Sequence, residues 1–178
     1  MGKAAKNSSS RKGASIAAAP GKMTREQLNL TALQQTPGFM VRILQLHIFE
    51  EFFTYFSDTG LSPAEHSVLV TVRDNPSITQ SELAAVLRIQ LPNLVKILAK
   101  LEAGEILRRK RSAKDKRAVE LTLTAHGREA AELASKMAKA FNVQTLSALS
   151  KREQTVFLDM LTRLVQFRTN SEGHDRPE

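Results

Sequence analysis

Ser62-Pro63-Ala64-Glu65, Thr79-Gln80-Ser81-Glu82 and Ser150-Lys151-Arg152-Glu153 repeat one arrangement, a hydroxyl residue followed three positions later by a glutamate. The hydroxyl accepts a hydrogen bond from the third helical N–H and the glutamate reaches back to the N–H of the cap, so each segment marks a helix start. Pro63 strengthens the first, because the first helical position needs no N–H donor. Val68, Leu69 and Val72 then follow at helical spacing and Asn75-Pro76 ends the run, which predicts a helix over 63–74. The second start opens a short helix whose Leu83, Val86 and Leu87 face inward. Another begins near Leu91-Pro92 and carries Leu94, Ile97, Leu98 and Leu101 at i, i+3, i+4 and i+7. After Gly104, the run 106–111 and the alternating Val119, Leu121 and Leu123 read as two strands joined by a turn over 112–117.

Three helices followed by a hairpin is the order of a winged helix-turn-helix, so the expected fold class is mainly α (α+β) with a two-stranded β wing. Long apolar segments flank this module. From Pro37, Phe39, Met40, Ile43, Leu44, Leu46, His47, Phe49, Phe52, Phe53 and Phe56 run through about five turns of helix, with five of the eight Phe and the only Tyr, Tyr55. Thr124 can cap a long helix to about Leu146, and a last helix places Phe157, Met160, Leu161, Leu164 and Phe167 along one stripe. The simplest packing joins these flanking helices into a dimerisation bundle; the core of a monomer is the alternative. The expected organisation is a basic, largely disordered arm over 1–35, dimerisation helices over 36–58 and 125–168, a DNA-binding module over 59–124, and a disordered tail over 169–178. Within the arm, Met23, Leu28, Leu30 and Leu33 are spaced for a short helix over 23–35.

Charge placement adds a functional constraint. The chain carries a net +8, and residues 1–22 hold Lys3, Lys6, Arg11, Lys12 and Lys22 without an acid. Arg108, Arg109, Lys110, Arg111, Lys114, Lys116 and Arg117 crowd the hairpin against only Glu105 and Asp115. Positive charge gathered in one segment and one tail fits a polyanionic partner, and equally a solvated basic face. The arm is expected to add non-specific DNA affinity. The absence of Cys excludes disulfides and thiolate metal sites. No uncharged apolar run approaches the ~20 residues that span a bilayer, so a soluble, cytoplasmic protein without membrane contact is expected. His47, His66, His126 and His174 are scattered and no Gly-rich phosphate loop occurs, so neither a metal, a cofactor nor an enzymatic site is expected.

In a helix-turn-helix the second helix enters the major groove with its first turns at the base edges. Gln90, Leu91, Pro92, Asn93, Val95 and Lys96 open that helix here. Asn93 can pair with adenine, Lys96 can donate to guanine, and Pro92 or Val95 can touch thymine methyl groups. Gln80 and Ser81 at the preceding helix start, Lys100 farther along, and Arg109 and Arg111 on the ribbon complete the residues expected at DNA. At the wing tip Lys114, Lys116 and Arg117 can reach phosphates or a narrow minor groove. Asp115 is expected to stabilise the wing by pairing with a nearby Arg or Lys. The competing readings are a solvated helix face and a charged hairpin turn.

Over about residues 37–168 the sequence resembles the MarR family of winged-helix regulators. The resemblance rests on Leu61-Ser62-Pro63-Ala64-Glu65, on Thr79-Gln80-Ser81-Glu82-Leu83-Ala84, and on Asp115-Lys116-Arg117-Ala118 leading through Leu121-Thr122-Leu123-Thr124 to Ala125-His126-Gly127. It implies a triangular homodimer on a near-palindromic operator, with Arg117 in the minor groove. Members commonly have Asp-Arg-Arg at Asp115-Lys116-Arg117, and small polar residues where Pro92 and Val95 stand. Their glycine after the recognition helix appears one position early, Gly104 being followed by Glu105. Many members release DNA on binding a small, often aromatic, anion. By likeness, Arg42 would clamp a carboxylate while Phe39, His47 and Phe53 line an apolar cavity, with His66 and Arg73 nearby, so a small aromatic acid or thioester is the candidate ligand. A salt bridge from Arg42 to Glu50 or Glu51 of a partner subunit, and a core role for His47, are the alternatives. The expected function is a sequence-specific, ligand-released repressor. The alternative is a winged-helix protein that binds DNA without sequence preference or contacts a protein partner, without ligand control.

Overall fold

The computed structural model describes residues 28–113 and 115–172. The expected arm over 1–22, most of the tail and Lys114 lie outside them. The chain divides into two units, one ending at Arg42 and the other beginning at Ile43. In the first, Asn29 Oδ1 accepts the Thr31 N–H at 3.1 Å and opens a one-turn helix, α1 (Thr31–Gln34). That is shorter than the helix expected over 23–35, of which residues 23–27 are outside the description. Helix α2 (Pro37–Tyr55) starts in this unit and continues into the second.

The second unit contains α3 (Pro63–Asp74), α4 (Gln80–Leu87), α5 (Leu91–Ala103), β1 (Leu107–Arg111), β2 (Val119–Leu123), α6 (Ala125–Thr145) and α7 (Lys151–Glu172), with a 3₁₀ turn at Ser57–Thr59. The strands are antiparallel, with Leu107 opposite Leu123 and Arg111 opposite Val119. The architecture is a winged helix. All three hydroxyl–glutamate boxes form as expected, and Thr124 caps α6 by accepting the Gly127 N–H at 2.9 Å.

The core follows from the apolar spacing. Val68 and Val72 of α3, Leu83 of α4, Leu94, Leu98 and Leu101 of α5, Leu107 of β1 and Leu121 of β2 form one buried cluster. The Leu121 N–H also donates to the Ile78 carbonyl at 3.0 Å, so the segment leading into α4 is stitched to the wing. A separate aromatic cluster holds α2 against α6: the rings of Phe52 and Phe56 stack at 4.1 Å, and Phe141 meets Phe52 edge-on at 5.7 Å.

The flanking helices carry much of their apolar surface uncovered by the rest of the chain. Within the chain only Phe52 of α2 is buried, while Leu44, Leu46, Phe49 and Phe53 are exposed. On α7, Phe157 and Leu161 are half-buried, and Met160, Leu164 and Phe167 are exposed. Periodicity identifies apolar surface but does not say whether the same chain covers it.

The turn after α5 answers the displaced glycine. The Ile106 N–H donates to the Leu101 carbonyl at 2.9 Å and the Glu105 N–H to Glu102 at 3.0 Å, the paired bonds of a helix end whose next residue is left-handed. That residue is Glu105, with φ +56°, whereas Gly104 has φ −82°. The glycine is therefore not where the backbone calls for one. Glu105→Gly is expected to raise stability by about 0.5–1 kcal/mol, the left-handed penalty of an L residue less the added freedom of the unfolded chain. A higher urea midpoint checks this; a lower one would mean that the Glu105 side chain contributes more than its backbone costs.

Candidate nucleic-acid interface

Helix α5 is held from beneath by Leu94, Leu98 and Leu101, and a helix turns 100° per residue, so Pro92, Lys96 and Ala99 lie on the opposite, outward side, with Asn93 and Val95 on its two flanks. All five are exposed, as is Gln90 at the cap. The side chains of Asn93 and Lys96 have no polar partner among the described residues. At the start of α4, Ser81 is exposed and Gln80 half-buried.

Two of the cations expected at DNA are engaged inside the protein. The Lys100 ammonium lies 2.7 Å from Glu65 Oε1, and Arg109 Nε donates to Glu102 Oε2 at 2.8 Å, with a second contact from its Nη2. Neither acid is legible as an anchor in the sequence: Glu65 reads there only as a cap, and nothing local pairs Glu102 with Arg109. Glu65 is 5% exposed, and its other oxygen accepts the Ser62 N–H at 2.8 Å. One carboxylate thereby caps α3 and ties α5 to it.

Burial opposes ionisation of Glu65, yet hydrogen bonds from Lys100 and Ser62, with the Lys100 charge, hold its carboxyl below the ordinary value of 4.5. A lowered folded-state pKa adds stability that is present above the unfolded-state value and lost as pH falls through the folded one. Glu65→Gln keeps an acceptor for the cap but removes the charge. It is expected to cost about 1–2 kcal/mol at pH 7, with the deficit shrinking in urea unfolding as pH falls through the lowered folded-state value. A deficit that did not change with pH would exclude the charge as its cause.

The wing tip is built by backbone bonds. Asp115 Oδ1 accepts the Arg117 N–H at 2.8 Å, the Ala118 N–H donates to the Asp115 carbonyl at 2.9 Å, and the Asp115 N–H donates to Ser112 Oγ at 3.4 Å. The expected pairing of Asp115 with a basic side chain is thus corrected: its carboxylate closes the turn on a main-chain amide, the usual action of Asp in a tight turn. Arg111, Lys116 and Arg117 are exposed. The exposed Arg108 and Lys110, absent from the expected DNA-contacting residues, alternate with Arg109 and Arg111 along β1.

Residues 61–119 match the MarR family. The chain is 30% identical over 122 residues to the HTH-type transcriptional regulator BilQ of Clostridium symbiosum, covering 66% of this chain and 85% of that protein. The chain belongs to the MarR family. An HTH-type transcriptional repressor of Mycobacterium bovis is 30% identical over 108 residues, 61% of this chain and 78% of its own. Among solved structures, the transcriptional repressor CouR bound to a 23-mer DNA duplex superposes with a TM-score of 0.73 at 32% identity, covering 78% of this chain and 98% of its own. This MarR-family chain is a DNA-binding transcriptional regulator, and no helix among its described residues is long and apolar enough to cross a membrane.

The residues expected at a ligand divide between the two units of this MarR-family chain. Phe39 and Arg42 belong to the first unit, the former half-buried and the latter exposed. In the second, His47 is exposed on α2, and His66 is packed edge-on against Phe52 and Phe56 at 5.7 and 5.4 Å. Burial pushes the His66 ring below its ordinary pKa, with the Arg73 charge acting in the same direction and the Ala134 backbone opposing them. Arg73 donates to the Ala131 carbonyl at 3.3 Å, to Ser135 Oγ and to Asp74 at 2.8 Å. It clamps α3 to α6, a structural task that the ligand assignment did not foresee. Phe53 does line a cavity of about 340 Å³, with Phe49, Pro63, Ser67, Leu87 and Ile89.

Proposed function

We propose that this regulator is a homodimeric repressor that binds a near-palindromic operator with α5 in the major groove and the wing over the adjacent minor groove. The observation that carries the reading is the combination of an outward, unpartnered face of α5 with exposed Arg111, Lys116 and Arg117 on one winged module. Its DNA-contacting residues are Gln80, Ser81, Gln90, Pro92, Asn93, Lys96, Arg111, Lys116 and Arg117. Lys100 and Arg109 serve chiefly to hold α5 and β1 in place. The uncovered apolar faces of α2 and α7 support association of two copies, since exposed apolar patches of this kind mark interfaces.

A small aromatic acid or thioester is the proposed effector, and the cavity beside Phe49 and Phe53 suits an aromatic ring in size and lining. It touches the end of α4, the helix before the recognition helix, so occupancy would favour one placement of α4 over another. Only such a difference in affinity between DNA-competent and incompetent states can release DNA.

Fluorescence anisotropy tests the reading, with duplexes from upstream of the protein's own gene, and duplexes selected from a random library, set against scrambled DNA across a salt series. A preference of ~10³-fold or more near physiological salt is expected. Equal affinities for every duplex, falling together with salt, would replace it with non-specific phosphate binding.

A further inference from the structure

We infer that α5 reads its operator chiefly through the C5-methyl groups of thymines, by apolar contact from Leu91, Pro92, Val95 and Ala99. The inference rests on the proposed placement of α5 in the major groove and states what that helix recognises there.

The outward stripe of α5 is the starting point. Of the exposed Pro92, Asn93, Val95, Lys96 and Ala99, only Asn93 and Lys96 can form a hydrogen bond to a base through their side chains. Leu91 at the first helical position is 47% exposed and Val95 38%, and Val86 on the neighbouring α4 is 67% exposed. Lys100, the next cation along α5, is held by Glu65, and Asn93 stands on the flank opposite Val95, which leaves Leu91, Pro92, Val95 and Ala99 as one continuous apolar side of the exposed face.

An exposed apolar strip of this kind needs an occupant, and duplex DNA is the one its surroundings fit. It shares a module with the exposed cations Arg111, Lys116 and Arg117, and CouR, 32% identical over nearly its whole length, was solved on a DNA duplex. Among the groups on the major-groove edges, the thymine methyl is the apolar one. Leu91 or Val95 pressed against guanine or cytosine would instead remove water from base donors and acceptors and return no hydrogen bond. The stripe thus rewards T and penalises G·C at the same positions.

The test starts from duplexes that the full-length protein selects from a random library. In the tightest of these, each thymine is replaced in turn by deoxyuridine, which removes the methyl and keeps every hydrogen-bonding group. Each contacted methyl should be worth about fourfold in affinity, the transfer value of one buried carbon, so removing two such methyls from one duplex should weaken binding on the order of 15-fold. Val95→Ser, at an exposed position that leaves the core intact, should abolish most of the thymine–uracil difference at one base step. Uracil duplexes that bind as tightly as thymine ones, with sequence preference retained, would overturn the inference, assign readout to Asn93 and Lys96, and leave the regulator reading standing. A methyl effect unchanged by Val95→Ser and by Leu91→Ser would also overturn it, because the methyls would then act through DNA shape. If the selection enriched no sequence, the proposed function would fail first and this inference with it.

Discussion

Replacing Gly127 by alanine is expected to destabilise the protein by at least about 3 kcal/mol, although alanine favours a helix over glycine by ~1 kcal/mol at an ordinary helical position. Gly127 sits in the first turn of α6, where a Cβ would lie 1.8 Å from the Ile106 carbonyl oxygen and 2.8 Å from its carbon. Both obstacles are backbone, so no side chain can swing aside. That same oxygen accepts the Thr124 N–H at 3.0 Å, while Thr124 Oγ1 donates to the Glu105 carbonyl at 2.6 Å and accepts the Gly127 N–H at 2.9 Å. Relieving the clash means lifting the start of α6 off the turn between α5 and β1 and losing those bonds. At roughly 2–4 °C per kcal/mol for a chain of this size, the thermal midpoint should fall by about 10 °C. Thr124→Ala, which removes the cap and leaves the close approach, should cost only about 1–2 kcal/mol. A Gly127→Ala protein as stable as the parent, or more so, would mean that α6 and the wing do not meet as described.

Gly127 also shows where sequence reasoning reaches and where it stops. The hydroxyl–glutamate boxes at Ser62, Thr79 and Ser150 place their helix starts directly, because both partners of each bond lie within one turn. The hairpin was legible for the same reason, alternation being a local property, but its register, Leu107 opposite Leu123, comes from the structure. Gly127 stood out as part of a motif, but its cause, the Ile106 carbonyl, is on another element. The engagement of Lys100 by Glu65 and of Arg109 by Glu102 was likewise invisible, since neither pair leaves a periodic trace. His66 and Arg73 were chosen for chemistry a ligand would use, and packing employs both at the junctions of α3 with α2 and α6.

Two tethers set how the proposed reading head is presented. Glu65 fixes the later turns of α5 to the cap of α3, and Thr124 with Gly127 fixes the root of β1 to α6. The outward face of α5 and the wing tip are thereby referred to the same α3–α6 pair, which Arg73 locks together. A change in the spacing of α3 and α6 would therefore move helix and wing as a set, a mechanical route by which an effector on this scaffold could act.

Arg117→Ala is expected to weaken binding to a selected operator by about 5- to 150-fold, or roughly 1–3 kcal/mol, while leaving fold and association state unchanged. Arg117 is exposed, and the Asp115 carboxylate holds its backbone N–H, not its side chain, so truncation at Cβ leaves the turn standing. Two modes of action predict different rescue. A side chain that only neutralises phosphate needs its charge, and Arg117→Lys would restore most of the lost affinity. A guanidinium inserted in a narrow minor groove uses its planar fork and weak hydration as well, so lysine would recover only part. Replacing the A·T pairs beneath the wing by G·C should then weaken the parent protein and leave Arg117→Ala almost unaffected, because the widened groove penalises only a side chain that enters it. Asp115→Ala supplies the complementary result: it retains every wing cation and loosens the turn, so its binding should fall with a salt dependence close to the parent's. Parent-like affinity in Arg117→Ala would remove the wing from base-step recognition and leave α5 to carry the sequence preference alone.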